Sequence, residues 1–361
     1  VDHLPLSSTP APSAVTPTPQ IIIHNHLRSK WAWVFYAFLF VCVIVSLAQS
    51  EGLDSDITLA EVVLQGKNAS EKIALIPVKG VITSSTASGS LFSEGVSTVA
   101  FVKSALEKAA KDDKVKAVLL AINSPGGEVT ASDVIHHHLL HFRQKTGKPI
   151  LALFQDISAS GGYYIGVAAN QIMAYPTTLT GSIGVIMQHY NVQELAEKVG
   201  VQVKSLKSGA HKDIASNFRS LAPEEEQILQ KIIDEMYQRF VHIVDEGRPQ
   251  LSKEQILPLA DGRIYTAQQA LENGLVDEIG YFEEAVLSLE KMAGISQSKV
   301  VEYRNSPSVL NSLTQAKTSS SLLPFVEKTQ FLYLWESQIS LFSQISELSK
   351  ISQLILDPEN P

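Results

Sequence analysis

Between Trp31 and Ala48 the chain runs eighteen residues without a charged side chain. At 1.5 Å per residue, a helix of that length crosses most of a bilayer's ~30 Å hydrocarbon core. The run therefore reads as a transmembrane anchor, residues 31–48. A cleaved secretory signal is the alternative, but such signals carry apolar cores of about 7–15 residues close to the chain start, whereas this run begins at residue 31. Trp31, Trp33 and Tyr36 suit a headgroup belt, Arg28 and Lys30 precede the run, and Glu51, Asp54 and Asp56 follow it. The positive-inside rule then places the bulk of the protein outside the cytoplasm, on the periplasmic side where a cell has two membranes. Residues 1–30, whose first part is rich in Pro, Ser and Thr, read as a disordered cytoplasmic tail, and residues 49–69 as a linker.

Over 361 positions 45% of the residues are hydrophobic and 18% charged, against roughly 25% charged in an average soluble protein, and the run supplies part of that apolar excess. The net charge of −8 argues against a general nucleic-acid binder, because nothing offsets phosphate repulsion over the whole surface. The single cysteine, Cys42, lies inside the run. It excludes an intrachain disulfide framework and a cysteine-based zinc cluster.

From about residue 70 short apolar runs alternate with amphipathic stretches, the pattern of a mixed α/β fold. Ile73–Ile82, Ala117–Ile122, Pro149–Phe154, Ile172–Tyr175, Ile183–Met187 and Val201–Leu206 read as strands. Val96–Lys111, Thr130–Thr146 and Val192–Val199 read as helices. Pro223 followed by Glu224, Glu225 and Glu226 opens a long helix toward Val244, with proline and acids both favoured in a first turn. Ser252-Lys253-Glu254-Gln255 fits a capping box.

Two glycine turns carry the chemical interest. Asn123-Ser124-Pro125-Gly126-Gly127 joins a strand to a helix, and its glycines can present backbone N–H groups to a ligand or simply make the turn. Ser158-Ala159-Ser160-Gly161-Gly162 also follows a strand. A serine there stands at a helix N-terminus, where it serves either as a cap or as a nucleophile favoured by the dipole and the free N–H groups. No GxxxxGK[ST] or GxGxxG pattern supports a phosphate or dinucleotide site.

A serine nucleophile needs a base, and Ser208-Gly209-Ala210-His211-Lys212-Asp213 offers two. Lys212 must shed its proton near neutral pH, which removal from water favours and a close carboxylate opposes. His211 oriented by Asp213 would instead make a Ser-His-Asp triad. Spacing leaves both open.

Taken together, Asn123-Ser-Pro-Gly-Gly127, Ala159-Ser-Gly-Gly-Tyr-Tyr164, Leu179-Thr-Gly-Ser-Ile-Gly-Val185, Ser208-Gly-Ala-His-Lys-Asp213 and Asp261-Gly-Arg-Ile-Tyr265 resemble, in order and spacing, bacterial signal peptide peptidase A. The likeness covers about residues 70–295. The resemblance implies a half-length, membrane-anchored Ser/Lys serine protease on a Clp-protease/crotonase-like α/β fold. It makes Ser160 the nucleophile, Lys212 the general base and Ser182 the hydroxyl that orients the lysine, with the N–H groups of Gly127 and Gly161 forming the oxyanion hole. His211 becomes a bystander. It further implies a homo-oligomer in which the lysine reaches the serine of an adjacent subunit, and a substrate class of signal peptides and other apolar peptides released from secreted precursors. Tyr163–Val167 and Leu179–Met187 are candidates to line an apolar groove. No metal, nucleotide or organic cofactor is required by this chemistry.

A catalytically silent membrane-anchored scaffold of the same fold is the alternative function. A crotonase-type acyl transfer on a thioester is a third, disfavoured by an extracytoplasmic location and the lack of a nucleotide motif. Other features weigh less. His136, His137, His138 and His141 read as a wet helix face rather than a metal site. Residues 83–95 read as an exposed loop. Residues 296–361 form a C-terminal extension in which Trp335, Ile339, Phe342, Ile345, Leu348, Ile351 and Ile355 are spaced as one face of an amphipathic helix.

Overall fold

The computed structural model describes residues 57, 59–85, 96–305 and 332–334. The tail of residues 1–30, the anchor at 31–48 and nearly all of residues 306–361 lie outside the described residues. Among the described residues no helix is long and apolar enough to cross a membrane.

The strands are β1 (Leu59–Gln65), β2 (Lys72–Lys79), β3 (Val115–Ser124), β4 (Gly126–Glu128), β5 (Ile150–Ala159), β6 (Gln171–Ala174), β7 (Leu179–Gly181), β8 (Ile264–Thr266), β9 (Glu278–Ile279), β10 (Lys299–Asn305) and β11 (Leu332–Leu334). The helices are α1 (Thr98–Lys111), α2 (Val129–Thr146), α3 (Gly161–Gly166), α4 (Gln193–Lys198), α5 (Pro223–Gly247), α6 (Lys253–Leu259), α7 (Ala267–Glu272) and α8 (Phe282–Ala293). Nine strands form one sheet in the order β1-β10-β2-β3-β5-β6-β9, with β7 pairing β5 and β8. Its centre is parallel. Parallel strands need crossovers, and the amphipathic stretches of the sequence supply them. The sheet also takes in β1, from within residues 49–69, and β10, beyond residue 295, so the folded unit is wider at both ends than the 70–295 outlined by the motifs.

Central strands alternate between two apolar layers. Val118, Leu120, Ile122, Ala152 and Phe154 face the core shared with α1, α2, α3 and α5. Leu119, Ala121, Leu151 and Leu153 face Ala285, Val286 and Leu289 of α8. Burial on both faces explains why these strands read as continuous apolar runs.

Two expected strands do not form. Ile183–Met187 and Val201–Leu206 lie outside every strand, and the second is an exposed segment in which Leu206 is 91% accessible. The stretch pairs instead through Leu179–Gly181, which lies parallel to the end of β5 and antiparallel to β8. The expected tail helix also differs where it is described: Leu332–Leu334 is a strand, antiparallel to β4. An open sheet edge offers backbone partners that local helical spacing cannot match.

Candidate active site

β5 ends at Ala159 and α3 opens at Gly161, leaving Ser160 in the sharp turn between them at φ 54°, ψ −115°. A non-glycine residue seldom holds a positive φ, and such strain clusters at functional sites. The turn is fixed from both sides, since the Ser160 N–H donates to the Gly181 carbonyl at 2.8 Å and its carbonyl accepts from the Tyr164 N–H at 2.8 Å. Ser160 is 1% exposed, and among the described residues its Oγ has no hydrogen-bond partner. It occupies the N-cap position of α3 without a capping bond from its side chain. A buried hydroxyl left unpaired is unfavourable for stability, so capping does not account for this serine.

Gly127 and Gly161 meet beside it. A Cβ on Gly161 would stand 2.6 Å from Ser132 Oγ and 3.1 Å from the Gly127 nitrogen. A Cβ on Gly127 would stand 2.0 Å from the Ile82 carbonyl oxygen. Backbone therefore bars a side chain at position 127, and one at position 161 would have to displace the Ser132 hydroxyl. The Ile82 N–H donates to the Gly126 carbonyl at 2.9 Å, and the Glu128 N–H donates to the Ile82 carbonyl at 2.9 Å. Backbone groups alternate in direction along a strand, so the Gly127 N–H points away from Ile82.

Ser182 adjoins the same turn, because it follows Gly181, the acceptor for the Ser160 N–H. It is buried at φ 49° and donates its N–H to the Arg263 carbonyl at 2.7 Å. The Asp261–Tyr265 motif thus supports the serine turn through β7 and β8. Gly181 is required there by its φ of 85° and by the Tyr265 ring, 2.6 Å from where a Cβ would lie.

Several positioning groups were not singled out from the sequence. Asn123 Nδ2 donates to Asp156 at 2.9 Å and Asn123 Oδ1 accepts from the Ile157 N–H at 3.3 Å, tying the ends of β3 and β5 together. Ser124 Oγ accepts from the Gly126 N–H at 3.1 Å. Ser158 Oγ donates to the Ile122 carbonyl at 2.8 Å, and Thr180 Oγ1 donates to the Ser158 carbonyl at 2.6 Å. Small hydroxyl residues at successive strand ends were the available signal.

The Lys212 segment stands apart. Within one chain Lys212 makes no hydrogen bond to Ser160, and it lies exposed in a turn. Asp213 is engaged elsewhere: its carboxylate accepts from Lys207 Nζ at 2.5 Å and from Arg219 at 2.9 Å. Arg219 also donates to Glu225 at 2.6 and 2.7 Å. Hydrogen bonds from Arg219, then from the Ala222 N–H, pull the Glu225 carboxyl down to about 2. Hydrogen bonds from Arg219 and Lys207 hold Asp213 well below the usual carboxylate range. His211 lies 3.7 Å from Glu224 and 4.0 Å from Glu225. The Asp213–His211 contact that a Ser-His-Asp triad needs is not made among the described residues.

Two further expectations change. Tyr163–Val167 is fully inside the core and does not line a groove. Among the four helix histidines, His136 is buried, edge-on to Tyr164 at 5.4 Å between ring centroids. Among the described residues no group of three or more His, Cys, Asp or Glu is arranged to hold a metal ion.

The profile described as Peptidase family S49 matches residues 142–296. An SppA-type signal peptide peptidase sequence of Enterococcus faecium is 40% identical over 68% of this chain and 71% of its own length. The chain belongs to the signal peptide peptidase A family of serine peptidases. A protease of Synechocystis sp. is 44% identical over 64% of this chain and 77% of its own length. Protease 4 of Salmonella typhi is 38% identical over 61% of this chain and 36% of its own length. Among solved structures, a ClpP1 mutant from Listeria monocytogenes superposes with a TM-score of 0.37 at 19% identity, covering 59% of this chain and 94% of that one.

Proposed function

We propose that this family member is an endopeptidase in which Ser160 is the nucleophile and Lys212, supplied by a neighbouring copy, is the general base. The observation that carries the reading is the Ser160 hydroxyl, buried and unpartnered on a strained turn beside two glycine amides. Ser160 Oγ attacks the carbonyl carbon of the peptide while its proton passes to the neutral lysine amine. The developing oxyanion is held by the N–H groups of Gly127 and Gly161, each such donor being worth about 10²–10³ in rate. The C–N bond breaks as the lysine ammonium returns the proton to the leaving amine, and water then hydrolyses the ester by the same route. Ser182 orients the lysine.

A lysine base acts when it is removed from water and free of carboxylates. Asp213 supports that reading because Arg219 and Lys207 already hold it. Exposure of Lys212 in the single chain fits its delivery to another subunit, where assembly would exclude solvent. The proposed substrates are signal peptides and other apolar peptides, met by a catalytic domain held on the extracytoplasmic side of a membrane by residues 31–48.

Ser160→Ala and Lys212→Ala chains are each expected to be inactive on an apolar peptide, and mixing them should restore a measurable fraction of activity at shared sites. Absence of rescue, with assembly verified, would reject delivery in trans. Activity in Lys212→Ala but not in His211→Ala would transfer the base to the histidine.

A further inference from the structure

α3 is six residues long and half glycine, Gly161-Gly162-Tyr163-Tyr164-Ile165-Gly166. A helix that short and that rich in glycine has little stability of its own, so its seat is set by what its side chains reach. Tyr164 ties it most widely. Its N–H donates to the Ser160 carbonyl at 2.8 Å, and its buried ring lies 4.9 Å from Phe240 of α5 and edge-on to His136 of α2 at 5.4 Å between centroids. Its hydroxyl donates to Asp133 Oδ1 at 2.5 Å, and the same oxygen accepts from Arg239 Nε at 3.2 Å and from Arg239 Nη2 at 3.1 Å. One carboxylate on α2 thus gathers donors from both α3 and α5. Each of these helices leads to a part of the proposed reaction. α2 follows directly on Gly126–Glu128, the strand of the Gly127 donor, and its Ser132 lies against Gly161. α3 opens at the nucleophile, and α5 starts at the Glu225 that Arg219 joins to Asp213, the neighbour of Lys212.

We infer that Asp133 is a positioning residue for the cleavage: by tying Tyr164 and Arg239 to α2 it fixes the tilt of α3, and with it the carbonyl end of the Ser160 turn, against the strand that carries the Gly127 N–H. This rests on the peptidase reading above and adds to it a group that touches neither the peptide nor the reacting atoms. Hydrogen bonds to an ionised acceptor are shorter and stronger than neutral ones, and a buried ring whose polar tip reaches such an acceptor is held in orientation as well as in place. The Ser160 side chain makes no hydrogen bond among the described residues, so the aim of its turn comes from the backbone and from what holds the backbone. A reacting group misplaced by about 1 Å loses on the order of 10² in rate. Slackening the junction therefore slows the chemical step and leaves the contacts that bind the peptide as they are.

The test uses three variants of the full-length chain. Tyr164→Phe keeps the ring and removes the hydroxyl, Asp133→Ala removes the acceptor, and Asp133→Asn keeps an acceptor oxygen without the charge. Tyr164→Phe and Asp133→Ala are each expected to lower kcat for an apolar peptide by about tenfold or more, with KM moved by less than about twofold. The double variant should be no slower than Asp133→Ala, because the two ends of one bond are lost only once. Asp133→Asn should recover kcat to within about threefold of the parent, its amide oxygen still accepting from Tyr164. In the Ser160→Ala background, hydrogen exchange of the Tyr164 amide, which bonds the carbonyl of residue 160, should quicken about tenfold or more with Asp133→Ala and less than about threefold with Asp133→Asn. Exchange indifferent to Asp133→Ala, a kcat that does not move in an active enzyme, or Asp133→Asn as slow as Asp133→Ala overturns the inference and leaves the peptidase reading standing. Quickened exchange in a protein whose parent chain cleaves no peptide at all supports the junction and counts instead against the peptidase reading.

Discussion

Ser160 and His136 show how burial turns ordinary side chains into informative ones. The Ser160 hydroxyl is buried and has no protein partner among the described residues, so removing it should leave stability unchanged or raise it by up to about 1 kcal/mol while hydrolysis is lost. Urea unfolding of Ser160→Ala against the parent checks this, and a loss above about 1 kcal/mol would return the serine to a structural role. His136 behaves differently. Burial, aided by the Arg239 charge and opposed by Asp133, lowers its ring to about 4 from the usual 6.5. Between those values the unfolded chain takes up a proton that the folded chain does not. This component of stability is therefore whole above about pH 6.5, falls by ~1.4 kcal/mol per pH unit below it, and levels off below pH 4. His136→Phe should remove that slope from a plot of unfolding free energy against pH. An unchanged slope would place the proton elsewhere.

At the scale of elements, the segment bearing Lys212 is held by charge more than by apolar packing. Arg219 joins Asp213 to Glu225, the third residue of α5. Both carboxyls are held below their ordinary values, so the stabilisation is present above about pH 4.5 and is lost as pH falls from there toward 2. Arg219→Met should leave Glu225 without its guanidinium partner and Asp213 with Lys207 alone. Proteolytic nicking between Gly200 and Ser220 should speed up, and peptide hydrolysis should drop by about tenfold or more, with the melting of the core nearly unmoved. A variant that melts early but keeps its activity would contradict this. The same segment marks the limit of reading elements from sequence. Ala117–Ile122 and Thr130–Thr146 were legible because burial by the chain's own helices leaves a clean apolar period, and the structure extends them only to Val115–Ser124 and Val129–Thr146. Val201–Leu206 carries similar apolar residues, yet Val201, Val203 and Leu206 are exposed. Periodicity reports that a face wants cover, not what covers it. The Ser160 and Gly127 turns were legible as motifs, whereas the bonds by which Ser158 and Thr180 brace neighbouring strands were not. A hydroxyl that braces a neighbouring strand has no local signature, because its partner lies far along the chain.

For the whole molecule, the exposed apolar side chains concentrate between Ile186 and Leu206, where Tyr190, Leu195, Val199, Val201 and Val203 are also accessible. Exposed apolar side chains gathered in one segment suit an interaction surface, and this supports the proposal that copies of the chain cover one another there as Lys212 is delivered. At the far edge of the sheet, Leu59 stands opposite Asn305 in the β1–β10 pair. The first and last strands of the nine-stranded sheet thus begin and end side by side. Closed there by a short bridge, the domain would be a ring without ends, and fresh termini opened near Gly200 would leave every strand pairing of the sheet intact, a circular permutant whose shape owes nothing to where synthesis starts.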